Sequence, residues 1–261
     1  MADKREDLSK DKPAATERKP ARARGGNRAA KAEASAPPSR LRRALRWMWR
    51  GLKAVTALYG VLILLFWIVP PPINLYQIGE AWRLGGIEKD WVGWDDIDPA
   101  MARSVVAAED ASFCNHWGFD IAAIREEIAE GGDKGRSTLS QQMVKNVFLW
   151  HGRSYVRKAM EAVLTPVVEL VWSKKRILLV YLNTAEFAEG VFGVQAAAQH
   201  HFGVDAKDLT PKQAALLAAV LPNPKEYDAG EPGPFVRKRA GQIRSGAETI
   251  AVDGRSACFE G

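Results

Sequence analysis

Two cysteines in 261 residues are too few for a disulfide framework. Cys114 and Cys258 form no CxxC pair, and the four histidines, His116, His151, His200 and His201, lack metal-ligand spacing, so no protein-held metal is expected. The thiols read most simply as one semi-buried and one in a loose C-terminus, with a pair open to them only outside the cytoplasm. There is no internal repeat and no alternating apolar–polar region, which leaves a mainly α protein rather than a solenoid or a sandwich. Acidic residues are scarce at the start of the chain. Residues 1–53 hold 16 Lys or Arg against 6 Asp or Glu, so this stretch carries +10 of a net +6 and the remainder is −4. The basic character belongs to a tail, which removes the argument for a nucleic-acid partner.

Large apolar side chains are almost missing from residues 1–40, a composition that cannot offset the entropy of ordering and predicts disorder. Residues 41–73 differ. Arg42, Arg43, Arg46, Arg50 and Lys53 alternate with Leu45, Trp47, Trp49 and Leu52, which suits an anionic bilayer surface. No charge then occurs from Ala54 to Gly79, and the twenty residues Ala54 to Ile73 reach about 30 Å as a helix, a hydrocarbon core's thickness. A cleaved leader is disfavoured by the long basic lead-in, and the positive-inside bias places the tail in the cytoplasm.

Beyond the membrane helix, residues 74–250 read as one helical domain and 251–261 as a loose C-terminus. Residues 70–94 resemble an extended connection. Asp98-Pro99 opens a helix that delivers Glu109, and 119–130 forms another carrying Arg125. A glycine-rich loop at 131–136 precedes a capping box, Thr138 with Gln141. Along that helix Ser137, Gln141 and Lys145 share a polar face opposite Leu139, Met143 and Val147. A helix over 153–171, kinked at Pro166, sets Arg153, Arg157 and Lys158 beside Glu161. Lys174, Lys175 and Arg176 read as solvated, 214–221 as a core helix and 236–250 as a last basic helix.

The stretch Val105 to Gly118 organises the rest. An apolar helical run ends in Glu109-Asp110, which puts an acid at the rim of a core, a placement suited to a general base.

Four blocks in order resemble the glycosyltransferase family 51 domain of peptidoglycan synthesis, and among its members the monofunctional transglycosylases. Residues 109–118 match EDxxFxxHxG, 135–142 match GxSTxxQQ, 157–161 match RKxxE and 174–183 match KxxILxxYLN. The fifth block, RRxxVL, is only loosely met at Arg237 to Ile243. The resemblance implies a lysozyme-like, two-lobed helical fold and polymerisation of lipid II, with the growing glycan on polyprenyl pyrophosphate as donor. It implies Glu109 as general base and Glu161 as a second carboxylate that orients cations or holds a divalent ion. Ser137, Gln141, Gln142, Lys145, Arg153, Arg157 and Lys158 would bind sugar or pyrophosphate, with Asp110 and Arg125 as close supports and structural roles for Phe113, His116 and Gly118. No firm cofactor follows, although Mg or Mn carried by the substrate pyrophosphate fits. The expected location is the bacterial inner membrane, single-pass, with a periplasmic catalytic domain and other wall-synthesis proteins as partners. About 120 residues follow Gln142, too few for a transpeptidase domain. The competing readings are a membrane-anchored, glycan-cleaving lytic enzyme and a non-catalytic scaffold.

Overall fold

A computed structural model describes residues 40–129, 131 and 137–261. The disorder expected of the tail, and all but the first residue of the glycine-rich loop, lie outside the described residues. Two compact units divide the chain, residues 1–52 and 53–261. The described part of the first, 40–52, is the basic start of α1, where the Arg50 guanidinium lies 5.3 Å from the Trp47 ring centroid.

Among the described residues the α-helices are α1 (Arg40–Ile68), α2 (Leu75–Leu84), α3 (Pro99–Glu109), α4 (Ile121–Ala129), α5 (Leu139–Phe148), α6 (Tyr155–Val171), α7 (Lys174–Thr184), α8 (Val194–Phe202), α9 (Pro211–Val220), α10 (Pro234–Asp253) and α11 (Ala257–Glu260). The chain is thus mainly helical. Its short strands β1 (Glu88–Lys89), β2 (Glu186–Ala188) and β3 (Val191–Phe192) form one small sheet in the order β1-β3-β2, with β1 parallel and β2 antiparallel to β3.

α1 begins earlier than the charge-free run, because the basic lead-in is helical with it, and it is long and apolar enough to cross a membrane. Its later half belongs to the second unit and packs on the rest of that unit. Ile63 is buried, the Trp172 indole donates to the Ile63 carbonyl at 2.9 Å, and the Tyr59 hydroxyl donates to the Phe148 carbonyl at 3.2 Å. At the helix end the Arg176 guanidinium donates to the carbonyls of Phe66 (2.6 Å) and Val69 (2.9 Å), which the helix itself leaves without partners. Arg176 is therefore not simply solvated.

Residues 70–94 are not an extended connection throughout. Asn74 accepts from the Gln77 amide at 2.8 Å and Gln77 accepts from the Asn74 amide at 3.3 Å, a full capping box that starts α2 directly after the prolines. Glu80 of α2 is buried against Lys225, 3.0 Å away, and Arg83.

α9 is the core element: every residue from Ala214 to Val220 is buried, and α3 and α10 pack on it and on each other. A second group sets α5 against α6 and α7. α6 runs unbroken through Pro166. The C-terminus is not loose. Phe259 of α11 is fully buried, α11 packs on α7, and Cys258 is disulfide-bonded to Cys114. The expectation of two separate thiols fails because partners 144 residues apart give no local signal.

Candidate active site

α3 starts with Asp98 accepting from the Ala100 amide at 2.8 Å and Pro99 in the first turn, and its buried face from Ala100 to Ala108 aims its last residue at α5. That residue, Glu109, keeps 15% of its side chain exposed. Its Oε2 accepts from Gln142 Nε2 at 2.9 Å and its Oε1 lies 3.4 Å from Arg239 of α10. Arg239 belongs to the loosely matched fifth block. That loose match and a place within the expected basic helix are its signals in the sequence, and neither assigns it a partner.

Asp110 points the other way. Buried, it accepts from His116 Nε2 at 2.9 and 3.1 Å and from the Leu139 amide at 3.0 Å, which fastens the loop after α3 to the first turn of α5. Phe113 is fully buried in the same loop. Lys174 reaches it from α7, with its ammonium 2.7 Å from the His116 carbonyl, 2.8 Å from Glu169 and 4.4 Å from the Phe113 ring centroid. Lys174 is thus a buried tie rather than a solvated cation. Gly118 has φ +79°, and a Cβ there would meet Thr165 Cγ2 at 2.5 Å, so both backbone and space demand glycine.

The capping box of α5 forms as the spacing predicts: Thr138 caps Gln141, and its hydroxyl donates to the Gly118 carbonyl at 2.7 Å. This engages the oxygen of the buried Gln141 side chain, whose Oε1 accepts from the Thr138 amide at 3.1 Å. Gln142, one residue on, is the glutamine that faces Glu109.

The cations gather beyond α5. Ser154 caps α6, whose first turns carry Arg157 and Lys158. Arg157 donates to Glu161 at 2.6 Å and to the Gly152 carbonyl at 3.0 Å; Lys158 pairs with the other Glu161 oxygen and lies 3.1 Å from Ser137 Oγ. Only 3% of the Glu161 side chain is exposed, against 48% for Lys158. Burial holds the Lys145 ammonium below its usual range, opposed by the charge of Glu161; Arg157 and Lys158 lower it further and Glu109 raises it. These five groups share one electrostatic neighbourhood. Arg125 is exposed on α4 and Arg153 is exposed before α6.

Between α2, α5 and α7 lies a cavity of about 190 Å³ whose lining includes Tyr76, Gln142, Lys145, His151 and Tyr181. His151 stacks on Tyr76 with centroids 3.8 Å apart, and burial together with Lys145 and Arg157 lowers its pKa to about 4, so it is neutral at physiological pH. A larger cavity of about 630 Å³, between Leu216 and Ala240, contains none of the predicted site residues.

The donor chemistry beside Glu161 does not suit a divalent ion. Both of its oxygens are taken by cations, and Lys145 adds a third positive charge nearby. Among the described residues, Asp110, His116 and Asp120 could bring ligand atoms within 4.8 Å of one another, but Asp110 and His116 already bond to each other.

A protein-family model described as Transglycosylase matches residues 78–248. A biosynthetic peptidoglycan transglycosylase of Jannaschia sp. (strain CCS1) is 61% identical over 214 residues, covering 82% of this chain and 90% of the relative. Proteins of the same description from Stutzerimonas stutzeri (strain A1501) and Xanthomonas axonopodis pv. citri (strain 306) are each 47% identical, covering 78% and 83% of this chain and 86% and 92% of their own lengths.

Proposed function

The chain belongs to the transglycosylase family and is a peptidoglycan glycosyltransferase, and from that premise we propose that Glu109 is the general base of an inverting sugar transfer from a polyprenyl-pyrophosphate donor to lipid II. The observation that carries this reading is the pairing of one partly exposed carboxylate, oriented by Gln142 and Arg239, with a neighbouring cluster of Lys145, Arg157 and Lys158.

The acceptor 4-hydroxyl is a poor nucleophile until its proton is taken. Glu109 accepts that proton as the acceptor oxygen bonds to the donor's anomeric carbon. The bond from that carbon to the pyrophosphate breaks, and the departing oxygen keeps the electron pair. A β-1,4 linkage results. The negative charge that develops on the pyrophosphate is met by Lys145, Arg157 and Lys158. Glu161 serves these cations by holding Arg157 and Lys158 in place, and Ser137, bonded to Lys158, adds a hydroxyl at the same spot.

The lipid portion of such a substrate fits the setting. An apolar groove of about 520 Å³, lined by Tyr59 and Ile63 of α1 and by Met160, Val163 and Val167 of α6, offers surface to a polyprenyl chain. The basic start of α1 supports an inner-membrane anchor with its N-terminus in the cytoplasm. The Cys114–Cys258 disulfide supports a periplasmic catalytic domain, since such bonds persist in oxidising compartments. A glycan-cleaving enzyme has no pyrophosphate to stabilise and leaves the cation cluster without a task.

Polymerisation of labelled lipid II by the purified chain tests the reading. Glycan polymer that disappears in Lys145→Ala is the expected result. Cleavage of finished glycan with lipid II untouched would contradict it.

A further inference from the structure

The amide of Gln142 can be placed in only one way. One of its terminal atoms lies 2.9 Å from Glu109 Oε2 and 3.2 Å from the Ser137 carbonyl oxygen, two groups that only accept hydrogen bonds when Glu109 is ionised. That atom must be the nitrogen. Oε1 then faces Tyr181, 3.2 Å away, and the phenol must be the donor. Tyr181 is 2% exposed, and burial, followed by the charge of Glu109, pushes its pKa well above the ordinary phenol value. The phenol therefore keeps its proton across the range in which an enzyme works.

We propose that Tyr181 of α7 is a positioning residue for the transfer reaction, acting through Gln142: its hydroxyl pins the amide oxygen and so keeps the amide N–H on the Glu109 carboxylate. The inference rests on the reading of Glu109 as general base. Without the phenol hydroxyl, the Gln142 amide oxygen loses its donor, and the side chain is held in place only by its contacts to Glu109 and the Ser137 carbonyl. An amide oxygen left without a donor in this half-buried setting favours a shift of the side chain toward another donor, which lengthens the N–H contact to Glu109. Glu109 then loses a donor that favours its ionised form and takes up a proton more readily, which removes the base. Tyr181 thus controls a carboxylate through one intervening side chain, and its position in the KxxILxxYLN block acquires a chemical reason.

The experiment uses the full chain with labelled lipid II and follows polymerisation from pH 5 to 9 for the wild type, Tyr181→Phe, Gln142→Leu and the double variant. Tyr181→Phe keeps the buried ring and removes only the hydroxyl. The expected result is a fall in kcat of about tenfold with KM within about twofold, and an acid limb displaced toward neutral pH by about half a unit or more. The double variant should be no slower than Gln142→Leu, because both changes act through one path. Replacing Tyr181 by 4-aminophenylalanine restores a donor and should recover most of the rate, which keeps the question answerable if Tyr181→Phe folds poorly. An unchanged kcat and acid limb in Tyr181→Phe would overturn the inference, as would additive losses in the double variant. A lower melting temperature with an unmoved acid limb, the mark of a purely structural hydroxyl, would also overturn it. Glu109→Gln separates the two claims. If it stays active, the base assignment and this inference fall together, whereas an inactive Glu109→Gln beside a normal Tyr181→Phe sinks this inference alone.

Discussion

Glu109 and Asp110 are adjacent in the chain, yet their carboxylates serve opposite sides of the end of α3. Glu109 meets Gln142 and Arg239 at the cleft, while Asp110 is buried against His116 and the Leu139 amide. Changing each should therefore give a different defect. Asp110→Ala leaves a buried histidine and a helix-start amide without their acceptor and should cost about 2–4 kcal/mol of stability. Urea unfolding of the detergent-solubilised chain measures this, and a midpoint equal to the wild type would contradict the structural role.

Glu161 carries two cations on one buried carboxylate. Glu161→Gln removes the charge that aims them but leaves their attraction for pyrophosphate, so kcat should fall about tenfold or more while KM stays level or drops. Steady-state kinetics with lipid II distinguishes this from a binding defect, in which KM would rise at constant kcat.

The disulfide joins the loop after Glu109 to α11 across 144 residues. Closing so long a loop restricts the unfolded chain, and the pair Cys114→Ser with Cys258→Ser should lose about 3–5 kcal/mol. Thermal unfolding with and without reductant checks this: the wild type should lose stability on reduction, and the double variant should be indifferent to it.

His151 gives a pH dependence of fixed sign. Its folded pKa of about 4 lies below the ordinary value of 6.5, so the unfolded chain binds the proton more readily between those values. Its contribution is therefore fully kept above about 6.5 and lost as pH falls toward 4. His151→Phe should flatten that part of the stability–pH curve relative to the wild type, as measured by melting temperatures from pH 4 to 7.

Much of the architecture was legible because it depends on local chemistry. The charge-free run marked the long apolar helix, Asp98-Pro99 the start of α3, and the Thr138–Gln141 box the start of α5. The same local rule accounts for Gln141 Oε1, which closes the capping box, whereas helical spacing alone does not show that Gln142 meets Glu109. α2 departs from the extended reading of 70–94 because the three prolines there are followed by the Asn74–Gln77 box, which starts a helix.

The rest depends on contacts distant in sequence. Arg239 reaches Glu109 from 130 residues away, Tyr181 reaches Gln142 across 39, and Arg176 closes the end of α1 across more than 100. No periodicity encodes such pairs.

The central claim is that Glu109 removes the acceptor proton. Its most direct test is polymerisation of labelled lipid II by Glu109→Gln, with the unfolding midpoint measured on the same preparation. The account predicts a loss of about a hundredfold or more in kcat at an unchanged midpoint. A folded Glu109→Gln protein that polymerises lipid II at the wild-type rate would contradict it.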